Sequence, residues 1–393
     1  MTNRVYVMTF LIVLVFTALA PAQTFTVLYN FTGGSDGWGP YAGLIQDPAG
    51  DLYGTTSLGG DPSCTPGYGY GCGVVFKLDT AGTETVLHTF WGSDGTNPVA
   101  PVLRDRAGNI YGTTSYGGSS GYGTVFKIDT AGTETVLYSF TGGPDGCYPY
   151  QGVVVDKSGT AFLTTSECGS SGYGTIFKVD SAGRFSLLHS FAGGSSDGAY
   201  PYFGRLTMDK AGNLYGVSSG GGASGDGVLY ELSKKGKLTV LHSFAGGTSD
   251  GCAPNGSVVQ DKAGNFYGTT EYCGSSKNGT IWEVSKTGKE TILHNFAGGT
   301  SDGCNPAAGV TRDPKGNLYG VTYGCGANNY GALYELSTSG TLNLLYSFGG
   351  SDGSSGPIGE VLRTAKGTLF GTALTPSPPC CDNTYGSVWS YVP

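Results

Sequence analysis

Charge is scarce in this chain. Lys, Arg, Asp and Glu supply 13% of its 393 residues, against about 25% in an ordinary soluble domain, so long surface helices laced with ion pairs are not expected. No basic excess exists either: 21 Lys and Arg face 29 Asp and Glu, a net charge of −8. A chain of that sign carries no electrostatic footprint for nucleic acid. Beyond Leu19 no apolar run approaches the length of a membrane span. Nucleophile signatures such as G-x-S-x-G are missing. Histidine is limited to four residues, and no second group keeps a fixed distance to one of them alone, so no catalytic residue is assigned.

Glycine and tyrosine, by contrast, are plentiful, at 71 and 26 residues. Regular apolar runs stand between the glycines, which argues against disorder, because a disordered segment lacks the means to bury a core. The balance fits many turns and buried strands. At the N-terminus Arg4 precedes an apolar run from Val5 to Leu19 and then Ala20-Pro21-Ala22, the three-part form of a secretory signal peptide. Residues 1–22 are expected to be removed, leaving 20 basic against 29 acidic residues and a mature net charge of −9. The mature chain is expected to be secreted, extracellular or periplasmic, with no membrane span; its closing Ser387 to Val392 resembles no sorting tail.

A unit of about fifty residues fills the rest. A phrase ending in Phe before a Gly-rich turn recurs at Phe31, Phe90, Phe140, Phe191, Phe244, Phe296 and Phe348, with spacings of 59, 50, 51, 53, 52 and 52. Such periods belong to architectures in which no unit buries its apolar faces alone. Each copy splits at turn signals into four short segments. In the second copy these are a, Pro101 to Asp105; b, Asn109 to Ser115; c, Thr124 to Asp129; and d, Glu134 to Phe140. The turns between a and b and between c and d read D-x-x-G, where Asp bonds its own backbone and Gly supplies positive φ. The sequence predicts an all-β fold, a seven-bladed β-propeller of four-stranded blades filling residues 23–393 as one domain. Segment d of the first copy, Phe25 to Phe31, precedes every a. The N-terminal strand should therefore complete the last blade, whose c is Ser387 to Val392, and close the ring.

In this geometry the tight D-x-x-G turns fall on one face, and the b–c loops and d-to-a crossovers fall on the other. The ten cysteines report on the second face. Cys147 and Cys168, Cys252 and Cys273, and Cys304 and Cys325 are each 21 residues apart, joining a crossover to the b–c loop of its own blade. Where the first is missing so is the second: Trp38 faces Gly59, Thr96 faces Gly117 and Ala199 faces Gly220. Both-or-neither usage predicts three disulfides. Two thiols per blade without His partners make a poor zinc site. Cys64 and Cys72 are paired across the long first insertion, and Cys380 and Cys381 are left as a vicinal pair or as partners of something else.

Repetition decides the reading of the polar residues. His88, His189, His242 and His294 occupy one position of segment d, where other copies carry Tyr29, Tyr138 and Tyr346; a site that takes either residue is structural, an amphipathic ring with its polar tip reaching outward. Asp36, Asp94, Asp145, Asp197, Asp250, Asp302 and Asp352 recur in the crossovers. They are read as turn-capping groups that accept hydrogen bonds from their own loops, with calcium as the alternative and no metal or cofactor otherwise assigned. Loop-face aromatics are the binding candidates, namely Trp38, Tyr41, Tyr116, Tyr148, Tyr150, Tyr200, Tyr202 and Tyr272. Flat rings with polar tips suit sugars or extended chains. Tyr122 and Tyr173, in the repeated Gly-Tyr-Gly before segment c, are read as packing residues.

The stretch from Gly108 to Phe126, GNIYGTTSYGGSSGYGTVF, resembles the GloVer (Gloeo_Verruco) tandem repeat of secreted bacterial choice-of-anchor proteins, and the likeness covers nearly the whole mature chain. That resemblance implies export and a repeat domain, and no activity. Two function classes are carried forward. The first is a monomeric secreted binding or scaffold module whose loop face engages a surface glycan or protein. The second is an extracellular polysaccharide lyase or hydrolase, for which the irregular residues Glu167, Glu271, Arg184 and Arg205 are the groups that stand out from the repeat. They form no recognisable acid–base or metal constellation, which favours the module.

Overall fold

Burial falls off from the middle strands outward. In the computed structural model, which describes residues 23–65, 70–350, 355–374 and 385–393, all five residues of strand b in the second unit, Ile110–Thr114, are buried, as are four of five in strand c, Thr124–Ile128. Strand d, Glu134–Ser139, is only half-buried. Strands covered on both faces read as near-continuous apolar runs, and strands a and d take the inner and outer edges. Seven such four-stranded antiparallel sheets form the ring of a β-propeller. Among the described residues there is no helix, and so none long and apolar enough to cross a membrane. The expected signal peptide, Asp352, Cys380 and Cys381 lie outside the described residues.

One aromatic contact recurs at every seam. The Phe that follows each outer strand packs on the third residue of strand c in the next blade: Phe31 on Phe76, Phe90 on Phe126, Phe140 on Phe177, Phe191 on Tyr230, Phe244 on Trp282, Phe296 on Tyr334 and Phe348 on Trp389. Ring centroids lie 4.9–5.6 Å apart. All fourteen rings are buried. Room for the strand c ring comes from the glycine of the Tyr-Gly-Thr phrase in strand b. A Cβ on Gly54 would stand 2.7 Å from the Phe76 ring, and one on Gly268 would overlap Trp282. The third blade departs from this, placing Leu163 at that position while Phe177 also stacks on Phe185 at 5.3 Å.

The ring closes as the permuted ends require. Thr24–Asn30 pairs with Ser387–Val392, in the register Thr24 with Val392, Val27 with Trp389 and Asn30 with Ser387. Threonines of strand b add polar stitches, donating to crossover carbonyls of the next blade: Thr55 to Ala100 at 3.3 Å, Thr113 to Gln151 at 3.1 Å, Thr269 to Ala308 at 2.8 Å and Thr372 to Ala42 at 2.9 Å. On the face of tight turns, Asp47 accepts N–H bonds from Ala49, Gly50 and Asp51 and the hydroxyl of Tyr53. Asp105, Asp209, Asp261 and Asp313 repeat that pattern with Tyr111, Tyr215, Tyr267 and Tyr319. Each of these turns is closed by its own hydrogen bonds.

Packing around the strand b glycine gives a direct test. Gly268→Ala is expected to lower stability by about 1–3 kcal/mol, the usual effect of overpacking a filled core. Gly34→Ala, where a Cβ meets only ordinary contacts, should change it by less than about 0.5 kcal/mol. Denaturant unfolding of the two variants measures both, and equal effects would contradict the packing account.

Candidate functional site

On the loop face each crossover runs antiparallel to the start of its blade's b–c loop. Trp38 pairs with Leu58, Thr96 with Tyr116, Cys147 with Glu167, Ala199 with Gly220, Cys252 with Tyr272, Cys304 with Gly324 and Ser355 with Leu374. Four disulfides close: Cys147–Cys168, Cys252–Cys273 and Cys304–Cys325, each with Cα atoms 5.4 Å apart, and Cys64–Cys72 at 5.7 Å. Cys168, Cys273 and Cys325 have φ of 60°, 66° and 63°, and their counterparts elsewhere are Gly59, Gly117 and Gly221 at 78°, 74° and 81°. The fourth-blade counterpart is thus Gly221 and not Gly220, because the crossover after Ala199 is one residue longer and shifts the spacing. Both-or-neither usage has a backbone reason. A Cβ at Gly117 would stand 2.6–2.8 Å from the backbone of Gly92 and Gly95, so either glycine lets the crossover lie directly on the loop, or a cystine bridges the two.

The next crossover residue is also left-handed in every blade. Gly39, Asn97, Tyr148, Tyr200, Ala253, Asn305 and Gly356 have φ between 50° and 70°. Each donates its N–H to a b–c loop carbonyl of the preceding blade, as Tyr148 does to Tyr122 and Tyr200 to Tyr173, both at 3.0 Å. That hydrogen bond fixes the turn. Glycine and asparagine tolerate it, whereas other residues, Ala253 included, lose roughly 1–2 kcal/mol there. Tyr148 and Tyr200 are the two bulky residues in the ring of seven.

Both stand in a continuous arc of rings. Tyr122 contacts Tyr148 at 5.8 Å, Tyr148 contacts Tyr116 at 5.1 Å, Tyr116 contacts Tyr150 at 6.2 Å, Tyr150 contacts Tyr202 at 6.0 Å, Tyr202 stacks on Tyr200 at 6.1 Å, and Tyr200 contacts Tyr173 at 5.3 Å. The hydroxyls of Tyr116 and Tyr150 share a hydrogen bond of 2.5 Å. Burial and then that bond push the Tyr150 phenol well above its ordinary pKa. Tyr202 donates to Glu167 at 3.5 Å. Phe203, which sequence reasoning missed, extends the arc at 5.9 Å from Tyr150 and is 40% exposed.

At the propeller axis a small cavity of about 30 Å³, room for about one water, is bordered by Tyr41, Tyr150, Phe203 and Glu360. Glu360 accepts the Ser257 N–H at 2.7 Å, joining the seventh blade to the fifth. It occupies a strand a position that is Gly43, Pro101, Gly152, Arg205, Ser257 or Gly309 in the other blades, the one acidic residue there and overlooked in the sequence. Trp38 stands apart from the arc, edge-on to Tyr70 and Tyr385. Tyr272 is 48% exposed, and a hydrogen bond to Glu271 pushes its phenol up to about 12. Arg184 pairs with Asp180 on the turn face.

The His or Tyr of strand d does not reach outward as expected. A β-bulge at residues such as Leu87 turns the strand end, and the ring tip meets the crossover Asp. Tyr29 donates to Asp36 at 3.0 Å and Tyr138 to Asp145 at 3.1 Å, while His88 lies 2.9 Å from Asp94, His189 3.0 Å from Asp197 and His294 3.1 Å from Asp302. Each Asp also caps its own crossover; Asp197, for instance, accepts from the N–H groups of Ala192 and Gly198. The two repeated positions therefore form one clamp.

A profile of the Gloeobacter/Verrucomicrobia repeat matches residues 14–160 and 149–378. The chain belongs to that repeat family. The extracellular domain of a hybrid two-component system from B. thetaiotaomicron shares its fold at 14% identity and a TM-score of 0.53, over 94% of this chain and 41% of that one. So does the extracellular domain of a one-component system from the same organism, at 10% identity and 0.56, over 89% and 38%. The repeat protein spans about two fifths of the length of these structures. A search of curated proteins finds no match.

Within this repeat protein the clamps differ in what the next blade's outer strand lays against them. Glu84, Glu134 and Glu290 begin three such strands, and Phe185, Leu238 and Leu342 begin others. Burial, and then the Asp36 charge, pushes Glu84 up to about 7 from 4.5. A carboxyl raised in this way binds its proton more tightly when folded, so its contribution is full below pH 4.5 and is lost as the pH rises through 7. Solvent at the seam screens part of the effect, leaving about 1–2 kcal/mol. Glu84→Leu is expected to lose that much less stability than wild type between pH 5 and 8 in denaturant titrations. Parallel curves would contradict the assignment.

Proposed function

We propose that this repeat protein is an exported binding module whose loop face takes an extended carbohydrate chain along the arc from Tyr122 to Tyr173. One observation carries the reading: Tyr148 and Tyr200 hold their rings in the arc from a left-handed backbone position where the repeat elsewhere uses Gly, Asn or Ala. Residues kept against a backbone penalty point to function. Flat rings offer apolar faces to sugar C–H groups while their hydroxyls, with Glu167 and Glu360, offer hydrogen bonds at the edges. The disulfides fit an oxidising compartment, and the two solved relatives being extracellular domains is in keeping with export.

The test is a glycan panel screened with residues 23–393 and with Tyr148→Asn and Tyr200→Asn. Asparagine already serves this position at Asn97 and Asn305, so each variant should keep its stability within about 1 kcal/mol. Each should bind at least about tenfold more weakly, the loss of roughly 1.4 kcal/mol of ring contact. Unchanged affinity in both variants would remove the arc from the site. Release of shortened chains from a bound polymer would instead establish the lyase or hydrolase reading.

A further inference from the structure

The clamp between the fourth and fifth blades differs from its siblings. Its His242 lies 3.8 Å from Asp250 and 3.5 Å from Glu290, whereas His189 and His294 hold their aspartates at 3.0 and 3.1 Å. His242 Nε2 and Glu290 Oε1 are buried without a hydrogen-bond partner. Donor atoms from the imidazole and both carboxylates lie within 4.8 Å of one another. Nothing in the repeat demands a carboxylate here, since Leu238 and Leu342 begin the corresponding strands beside His189 and His294. Two buried carboxyls side by side need a positive charge between them; a proton held between Glu290 and Asp250 supplies it when no metal is bound, and a bound cation would take the proton's place.

We propose that His242, Asp250 and Glu290 form a zinc-class divalent cation site in the seam between two blades. A tetrahedral ion with bonds of about 2.0–2.2 Å holds its ligand atoms roughly 3.3–3.6 Å apart, close to the His242 separations. One nitrogen and two carboxylates suit zinc and its neighbours in the transition series. Calcium, which takes six to eight oxygens, fits poorly. Three protein ligands leave a fourth position for water. His88, Asp94 and Glu134 are also gathered in one seam, but there His88 holds Asp94 at 2.9 Å as the other closed clamps do, so that seam is not assigned an ion. Between the seventh and first blades Tyr29 replaces the imidazole beside Asp36 and Glu84, which makes that seam an internal control.

The experiment is zinc titration of chelator-treated, untagged protein by calorimetry, with metal content counted after dialysis. Wild type should bind one ion per chain and Glu290→Leu none, while Glu134→Leu should leave the count at one. Leucine is native to this position at Leu238 and Leu342, so folding is expected to survive; should Glu290→Leu fail to fold, His242→Tyr, which installs the residue found at Tyr29, takes its place with the same expected loss of one ion. Zinc should also raise the unfolding midpoint of wild type and leave that of Glu290→Leu unmoved. Absence of zinc from wild type, undiminished zinc in Glu290→Leu or His242→Tyr, or displacement by equimolar calcium would each overturn the proposal.

Discussion

The buried contact between the Phe closing one blade and the strand c ring of the next is the constraint on which the rest depends. It is made seven times, each time within 4.9–5.6 Å, and no blade can complete it alone. Its partner ring occupies space that only glycine in strand b leaves open in six blades, so the Tyr-Gly-Thr phrase and the seam are two views of one packing decision. The Phe also fixes what lies two residues earlier. Because the chain must turn into the crossover immediately after that ring, the His or Tyr before it is delivered to the crossover Asp, and the loop face is positioned from there outward.

That dependence explains how much could be read from residues alone. Sevenfold recurrence of four segments was enough for the blade count, and the stray first segment, Phe25 to Phe31, was enough for closure, because a strand without neighbours in sequence must find them at the other terminus. Cysteine covariation located a contact on the loop face. It misplaced the fourth-blade partner by one residue, since an extra residue in the Ala199 crossover changes spacing without changing register, and register is set by hydrogen bonds. The clamp was missed for a related reason: a bulge re-aims the His, and alternation read along the strand does not register a skipped residue.

The aromatic candidates divide along the same line. Tyr116, Tyr148, Tyr150, Tyr200 and Tyr202 come together because they belong to consecutive blades and crossovers, whereas Trp38 and Tyr272 belong to other sectors of the ring and remain apart. Phe203 and Glu360 sit at positions where neighbouring copies have a different type of residue. Exceptions of this kind carry more information in a repeat protein than in an ordinary domain, since the other copies show what the backbone alone requires.

Symmetry also sets a scale for the exceptions. Where seven sites share one backbone, the copies that carry a residue the backbone accepts freely show what the fold needs, and a costlier residue in another copy has a reason outside that copy's fold. Tyr148 accepts a left-handed backbone that Gly39 occupies freely, and Glu290 places a buried carboxylate where Leu342 offers an apolar fill. Both penalties fall on seams already secured by the aromatic contact and by strand pairing, so a blade can bear them without unfolding. A propeller of near-identical blades can therefore acquire separate sites on its loop face and in its seams, each specified by a few residues that break the repeat.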